Sequence, residues 1–263
     1  MSENILYAVE DGIATITFNR PKVFNALDPD TILLFRAICE RAEQDKSARV
    51  VVMRGAGAAF VAGGDVASFK ERLATFSRDI VGMAGEFHRG ILALRRAPQP
   101  VIASVHGVVA GGGMSIMLAS DLIIAAEGTQ FNMAYSRIAT SPDGGSSWFL
   151  PRLIGYQKAM ELLLLAESAD ASVMQSMGVV NRVVPAVELE AVTLKLAQRL
   201  AAGPATAYAE TKAMVNTSIN QELTKHLDAE ALAFSRCAAE PDFAEGVTAF
   251  VEKRKAVFGR NRE

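Results

Sequence analysis

The spacing of apolar and polar positions changes period several times along the chain, and each change marks a predicted element. Residues 4–21, "NILYAVEDGIATITFNRP", read as two short strands around an "EDG" turn, closed by Pro21. "DPDTILLFRAICERAEQD" then shows helical spacing in Ile32, Leu33, Phe35, Ala37 and Ile38, with Asp28 placed to cap its start. "ARVVVMRG" is a continuous apolar run ending at glycine, the pattern of a strand covered on both faces. "GAGAAFVAGGDVASF" follows as a glycine-rich loop leading into a helix. The pattern then recurs: "FHRGILALRRAPQ" is helical and "PVIASVHG" a buried strand. "VVAGGGMSIMLAS" is a glycine-rich turn opening a helix, and "DLIIAAE" another strand. Two successive strand–glycine loop–helix units predict an α/β fold with mainly parallel pairing and right-handed crossovers.

From about Gly155 onward the pattern is almost wholly helical. "QKAMELLLLAES", "ELEAVTLKLAQRLAAG" and "PATAYAETKAMVNTSI" are separate helices, and "QELTKHLDAEALAFSRCAA" and "PDFAEGVTAFVEKRKAVF" complete the tail. The division expected is a core over residues 1–200 and a helical region over 201–263, either a further layer or an oligomer interface.

Composition narrows the class. The chain has 263 residues, half of them hydrophobic and 21% charged, which supports one large core and argues against disorder. A net charge of −2 gives no nucleic-acid footprint. Cys39 and Cys237 lie far apart, outside any metal spacing, and the three histidines are scattered, so a reduced, intracellular chain without a metal site is expected. The start "MSENILYAVEDG" lacks the basic and apolar regions of a signal peptide, and no membrane-length apolar window occurs. The expected location is cytoplasmic, with no membrane partner.

Several chemistries drop out. "GAGAAF" at 55–60 has Phe60 where a dinucleotide fingerprint needs glycine, and no acidic partner follows at the required distance. No Walker lysine, no G-x-S-x-G elbow and no metal-ligand cluster is present. His106 reads as a structural residue at a strand end, Asp65 as a helix cap and Asp121 as a turn residue. Two glycine loops at helix starts remain. In "VAGGDV" the candidate amide donor is Gly64, and in "AGGGMS" it is Gly112; if they converge, they can hold one developing oxyanion. Asp143, in "SPDGGSSW", is either ordinary turn punctuation or a lone carboxylate between apolar segments.

Five segments in order carry a family likeness: "FNRPKVFNALD", "AFVAGGDV", "VHGVVAGGGMSIMLASDLIIAA", "SPDGGSSWFLPRLIG" and "GVTAFVEKRKAVF". Together they resemble the enoyl-CoA hydratase/isomerase (crotonase) superfamily over nearly the whole chain. The resemblance implies a crotonase-like spiral of ββα units and a C-terminal helical trimerisation region, assembled as a homotrimer or a dimer of trimers. It implies an acyl-CoA thioester as substrate, with coenzyme A part of that substrate and no other cofactor. The thioester oxygen would sit between the amides of Gly64 and Gly112. Lys22, Phe24 and the backbone of Ala62 match positions lining the CoA path. Phe234 and Lys253 match tail positions that touch a neighbouring subunit's CoA.

The departures from the family pattern choose among its reactions. The hydratases use two glutamates; Ser115 and Tyr135 stand at those positions here. Addition of water needs groups that orient it and supply a proton, and an unperturbed tyrosine titrates near 10. Asp143 matches the acid of the 3-enoyl-CoA to 2-enoyl-CoA isomerases, the aspartate of the ring-epoxide isomerases and the nucleophile of a dehalogenase branch. The expectation is an acyl-CoA isomerase with Asp143 as general base and acid. Phe69 and Trp148 are either lining of its acyl pocket or core aromatics. The alternatives are an enoyl-CoA hydratase, a ring-epoxide acyl-CoA isomerase, and a CoA-ester-binding protein without acid–base activity.

Overall fold

A computed structural model describes residues 3–259. Residues 1–2 of the N-terminal reading and residues 260–263 of the expected helical region lie outside the described residues. Strands β1 (Ile5–Glu10) and β2 (Ile13–Phe18) form the antiparallel pair expected around Asp11 and Gly12. Helix α1 (Pro29–Gln44) begins where Asp28 accepts the Thr31 amide at 2.8 Å, with Pro29 at its first position. Strand β3 (Val50–Gly55) lies parallel to β2. Helices α2 (Val66–Glu71) and α3 (Phe76–Arg96) follow the first glycine loop.

The next turns repeat the plan: β4 (Val101–Val105), β5 (Val108–Ala110) and α4 (Gly112–Leu118), then β6 (Leu122–Ala126), β7 (Gln130–Asn132) and α5 (Ser146–Ile154). Helix α6 (Tyr156–Leu165), strand β8 (Ala169–Asp170), helix α7 (Ala171–Ser176) and strand β9 (Arg182–Val184) lead to α8 (Leu189–Ala201). Helices α9 (Ala205–Ser218), α10 (Leu223–Ala238) and α11 (Pro241–Val251) end the described chain. Among the described residues no helix is long and apolar enough to cross a membrane.

The large sheet has the order β1-β2-β3-β4-β6-β9, parallel from β2 onward. Its alternating side chains are buried on both sides. Val51, Met53, Val101 and Ala103 join the main core, which also takes in Phe35 of α1 and Leu94 of α3. Val50, Val52, Ile102 and Ile124 face the other way and pack with Leu189 and Ala197 of α8. A second, smaller sheet runs β5-β7-β8, and a parallel bridge from Val61 to Val109 adds the first glycine loop to it. β4 and β6 are each followed by a short strand and a helix, and β3 by a bridged loop and a helix, the spiral of ββα units that the resemblance implied.

Four readings need correction. The chain beyond Gly155 is not uniformly helical, because Arg182–Val184 supplies the sixth strand of the large sheet. Similarly, Val108–Ala110, read as part of a turn, and Gln130–Asn132 are strands. Segments of three residues are too short for a two-residue period to register. The last helix ends at Val251 instead of running to Phe258, and Lys253 sits at φ 55°. Asp121 does more than close a turn. It accepts the Val101 amide at 2.8 Å and pairs with Lys212 at 2.8 Å, joining α9 to the core.

The spiral brings α4 hard against the first glycine loop. A methyl group on Gly113 would overlap the carbonyl oxygen of Val61, so only glycine fits this contact. Gly113→Ala is expected to lower stability by about 1–3 kcal/mol through overpacking. Denaturant unfolding of the variant checks this, and an unchanged midpoint would contradict the packing described.

Candidate active site

The first glycine loop is built on Arg20. Its guanidinium pairs with Asp28 at 2.8 Å and with Asp65 at 3.2 Å, and it donates to the Ala26 carbonyl. Buried Asn25 donates to the carbonyls of Ala56, Ala59 and Phe60. Leu27 then bridges the loop, donating to Gly63 O at 2.8 Å and accepting from the Asp65 amide at 2.9 Å. Those two bonds lie on one side of the strand-like segment, so the intervening Gly64 N–H faces the other side. Among the described residues the Gly64 amide has no acceptor.

The second loop arrives alongside. Val61 bridges Val109, Ala110 N donates to Val61 O at 3.0 Å, and the α-carbons of Gly63 and Gly111 approach one another. Gly112 is the first residue of α4, and its amide is one of the donors that a helix start leaves unpaired. It too has no acceptor among the described residues. The two loops predicted separately thus meet, each with a free amide.

Asp143 is brought to the first turn of α4 by polar contacts from the two positions where this chain departs from the hydratase pattern. Tyr135 donates its hydroxyl to Asp143 Oδ1 at 2.6 Å. Ser115, fully buried, donates to the Asp143 carbonyl at 2.8 Å and lies 3.2 Å from the Tyr135 hydroxyl. Ser146 also bonds the Asp143 carbonyl, at 3.2 Å. Gly144, at φ 61°, continues the loop where a side chain would strike Phe87 and Ser115. Burial, then the neighbouring Asp143 charge and its hydrogen bond, hold the Tyr135 hydroxyl pKa far above the ordinary tyrosine value. Tyr135 is therefore a fixed donor.

The other expected site residues divide. Phe69 lies over Gly64, with its ring tilted against Phe76, the centroids 4.7 Å apart. Phe24 and Ala62 are neighbours, since the Ala62 amide donates to Phe24 O at 3.0 Å. Lys22 is exposed in the short 3-10 turn just before them. Trp148 is partly exposed on α5, edge-on to Phe149 and under Arg152. Phe234 packs against Phe243, and Lys253 follows α11; neither is joined to the glycine loops by a contact among the described residues. His106 donates from Nε2 to Gly57 O at 2.9 Å, in keeping with a structural role.

Two residues escaped the sequence reading. His88 accepts the Gly144 amide on Nε2 at 3.2 Å, which ties α3 to the Asp143 loop. Arg95, two turns further along α3, lines the same cleft. The only advance signal was their seven-residue spacing on one helical face. Tyr135 offers a direct check on the geometry. Tyr135→Phe is expected to leave the tyrosinate absorbance that appears around pH 10 unchanged, because this hydroxyl stays protonated there. Loss of one tyrosine's worth of that signal would contradict the buried hydrogen bond.

Residues 8–261 match the family described as enoyl-CoA hydratase/isomerase. The crotonyl-CoA hydratase of Syntrophomonas wolfei is 34% identical over 97% of this chain and 98% of its own length. The 1,2-epoxyphenylacetyl-CoA isomerase of Escherichia coli is 33% identical over 98% and 99%. An enoyl-CoA hydratase crystal structure from Polaromonas sp. JS666 superposes with a TM-score of 0.91 at 32% identity, covering 96% of this chain and 98% of that one.

Proposed function

The chain belongs to the enoyl-CoA hydratase/isomerase family, and within it we propose an acyl-CoA isomerase that converts 3-enoyl-CoA to 2-enoyl-CoA. The observation that carries this reading is Asp143, tied through Oδ1 to Tyr135 and through its carbonyl to Ser115 in the first turn of α4. The thioester carbonyl oxygen accepts hydrogen bonds from Gly64 and Gly112. Asp143 Oδ2 removes a proton from C2, and the electron pair of that C–H bond delocalises onto the thioester oxygen as an enolate. Asp143 then returns the proton to C4 as the double bond shifts from C3–C4 to C2–C3. One carboxylate completes the cycle, and neither atoms nor charge are left over. The two amides stabilise the enolate most strongly where the negative charge develops.

Hydration is the reaction named for several relatives, and it asks for different groups. Water must be oriented and a proton delivered. The positions of the family's two glutamates hold hydroxyls here, and both are turned towards Asp143. A ring-epoxide acyl-CoA isomerase is the second reading. It draws on the Escherichia coli relative and on Trp148 and Phe149 beside the Asp143 loop. In the same proposal Lys22, Phe24 and Ala62 line the CoA path, and Phe69 and Trp148 border the acyl group. Phe234 and Lys253 reach the CoA of a neighbouring subunit. The exposed apolar residues Phe234, Phe250 and Val251 of the C-terminal helices support self-association, in this reading as a homotrimer or a dimer of trimers.

Asp143→Asn is expected to reduce isomerisation of 3-hexenoyl-CoA by about 10²–10⁴-fold while the thioester still binds. Unchanged turnover would remove Asp143 from the mechanism. Tyr135→Phe should lower kcat by about tenfold or more with little change in KM, since the carboxylate loses its orienting donor. Crotonyl-CoA is the control substrate: hydration without isomerisation would establish the hydratase instead.

A further inference from the structure

An apolar cleft of about 720 Å³ begins at Gly144 and Gly145, directly beside Asp143, and runs between α3, α5 and α9. His88, Ile91, Leu92 and Arg95 form its α3 wall, following one helical face. From His88 to Arg95 the wall extends about 10 Å at the helical rise. Its near end is the candidate catalytic loop, and its far end is cationic.

The charges at that far end do not balance. Arg95 and Lys212 both line the cleft, and among the described residues Asp121 is the one carboxylate paired with them. Asp121 is already engaged by Lys212 at 2.8 Å and by the Val101 amide at 2.8 Å. Lys212 has its remaining donors on the carbonyls of Leu94 at 2.9 Å and Gln99 at 3.1 Å. Arg95 is left 3.7 Å from Asp121, beyond hydrogen-bond distance, with a neutral partner in Asn216 and the face of Phe149. Burial pushes the Arg95 pKa below its ordinary value, and Asp121 only partly offsets it. Other cations nearby have their own partners: Arg96 is paired with Glu43, and Arg152 sits over Trp148.

We propose that this cleft holds the acyl portion of the substrate and that Arg95 binds a carboxylate at its far end. The substrate class is then a dicarboxylic acyl-CoA thioester. The proposal rests on the reading of Asp143 as the reacting group, which fixes the near end of the cleft as the thioester end.

The test measures binding by calorimetry with two saturated thioesters of equal length, octanoyl-CoA and suberyl-CoA, neither of which can isomerise. The wild-type protein is expected to bind suberyl-CoA about 10- to 100-fold more tightly, the effect of a charge-assisted hydrogen bond. Arg95→Met should abolish that preference and leave octanoyl-CoA affinity within about threefold, which also reports a folded protein. Arg95→Lys should keep part of the preference. Equal affinities in the wild type, or a preference that survives Arg95→Met, would overturn the proposal. So would equal affinities together with a change in oligomeric mass on Arg95→Met, which would assign the cleft to a second copy of the chain. Asp143→Asn should retain the preference. If it also retains turnover, the catalytic reading fails while the carboxylate site stands.

Discussion

The two glycine loops lie closer together than side chains would permit, and the rest of the site depends on that approach. Val61 bridges Val109 backbone to backbone, and Gly113 has room for nothing beyond hydrogen at its α-carbon. A contact of this kind fixes peptide groups, which lack the rotameric freedom of side chains. It leaves the amides of Gly64 and Gly112 without acceptors at neighbouring positions, where water or a ligand oxygen must satisfy them. The large sheet serves the contact by holding β3, β4 and β6 in register, so that each following loop emerges at the same end.

Around these amides the polar groups are arranged to hold one carboxylate. Tyr135 and Ser115 each engage Asp143, one at the side chain and one at the backbone. The tyrosine is a donor that burial and the neighbouring negative charge keep protonated. Two hydroxyls, at Ser115 and Tyr135, thus hold one residue from its backbone and its side chain. The Gly144 amide, held by His88, fixes the other side of the same loop.

The charges away from the loops show how the molecule separates structural from recognition roles. Arg20 has two carboxylates and a carbonyl around it, and anchors the first loop. Lys212 is saturated by Asp121 and two carbonyls, and docks α9. Arg95 stands beside that saturated set, 3.7 Å from Asp121 and beyond hydrogen-bond distance of it. A half-buried cation keeps part of its desolvation cost when its ion pair is long, and this one faces a cleft that opens onto the Asp143 loop.

Much of this was legible in the linear chain. The period of the apolar residues determined the α/β plan, the buried parallel strands and the cap at Asp28. The order of the glycine motifs identified Gly64 and Gly112, and the family likeness picked out Asp143 and the missing glutamates at Ser115 and Tyr135. These features are local, written in the spacing of a few neighbouring residues. The three-residue strands carried no such period, so the small sheet and β9 emerged only from pairing between distant segments. Tertiary structure alone decided that the loops touch, that Tyr135 and Ser115 turn towards Asp143, and that Arg95 shares Asp121 with Lys212. Each of these is a distance between residues far apart in sequence, and such distances are set by how layers pack.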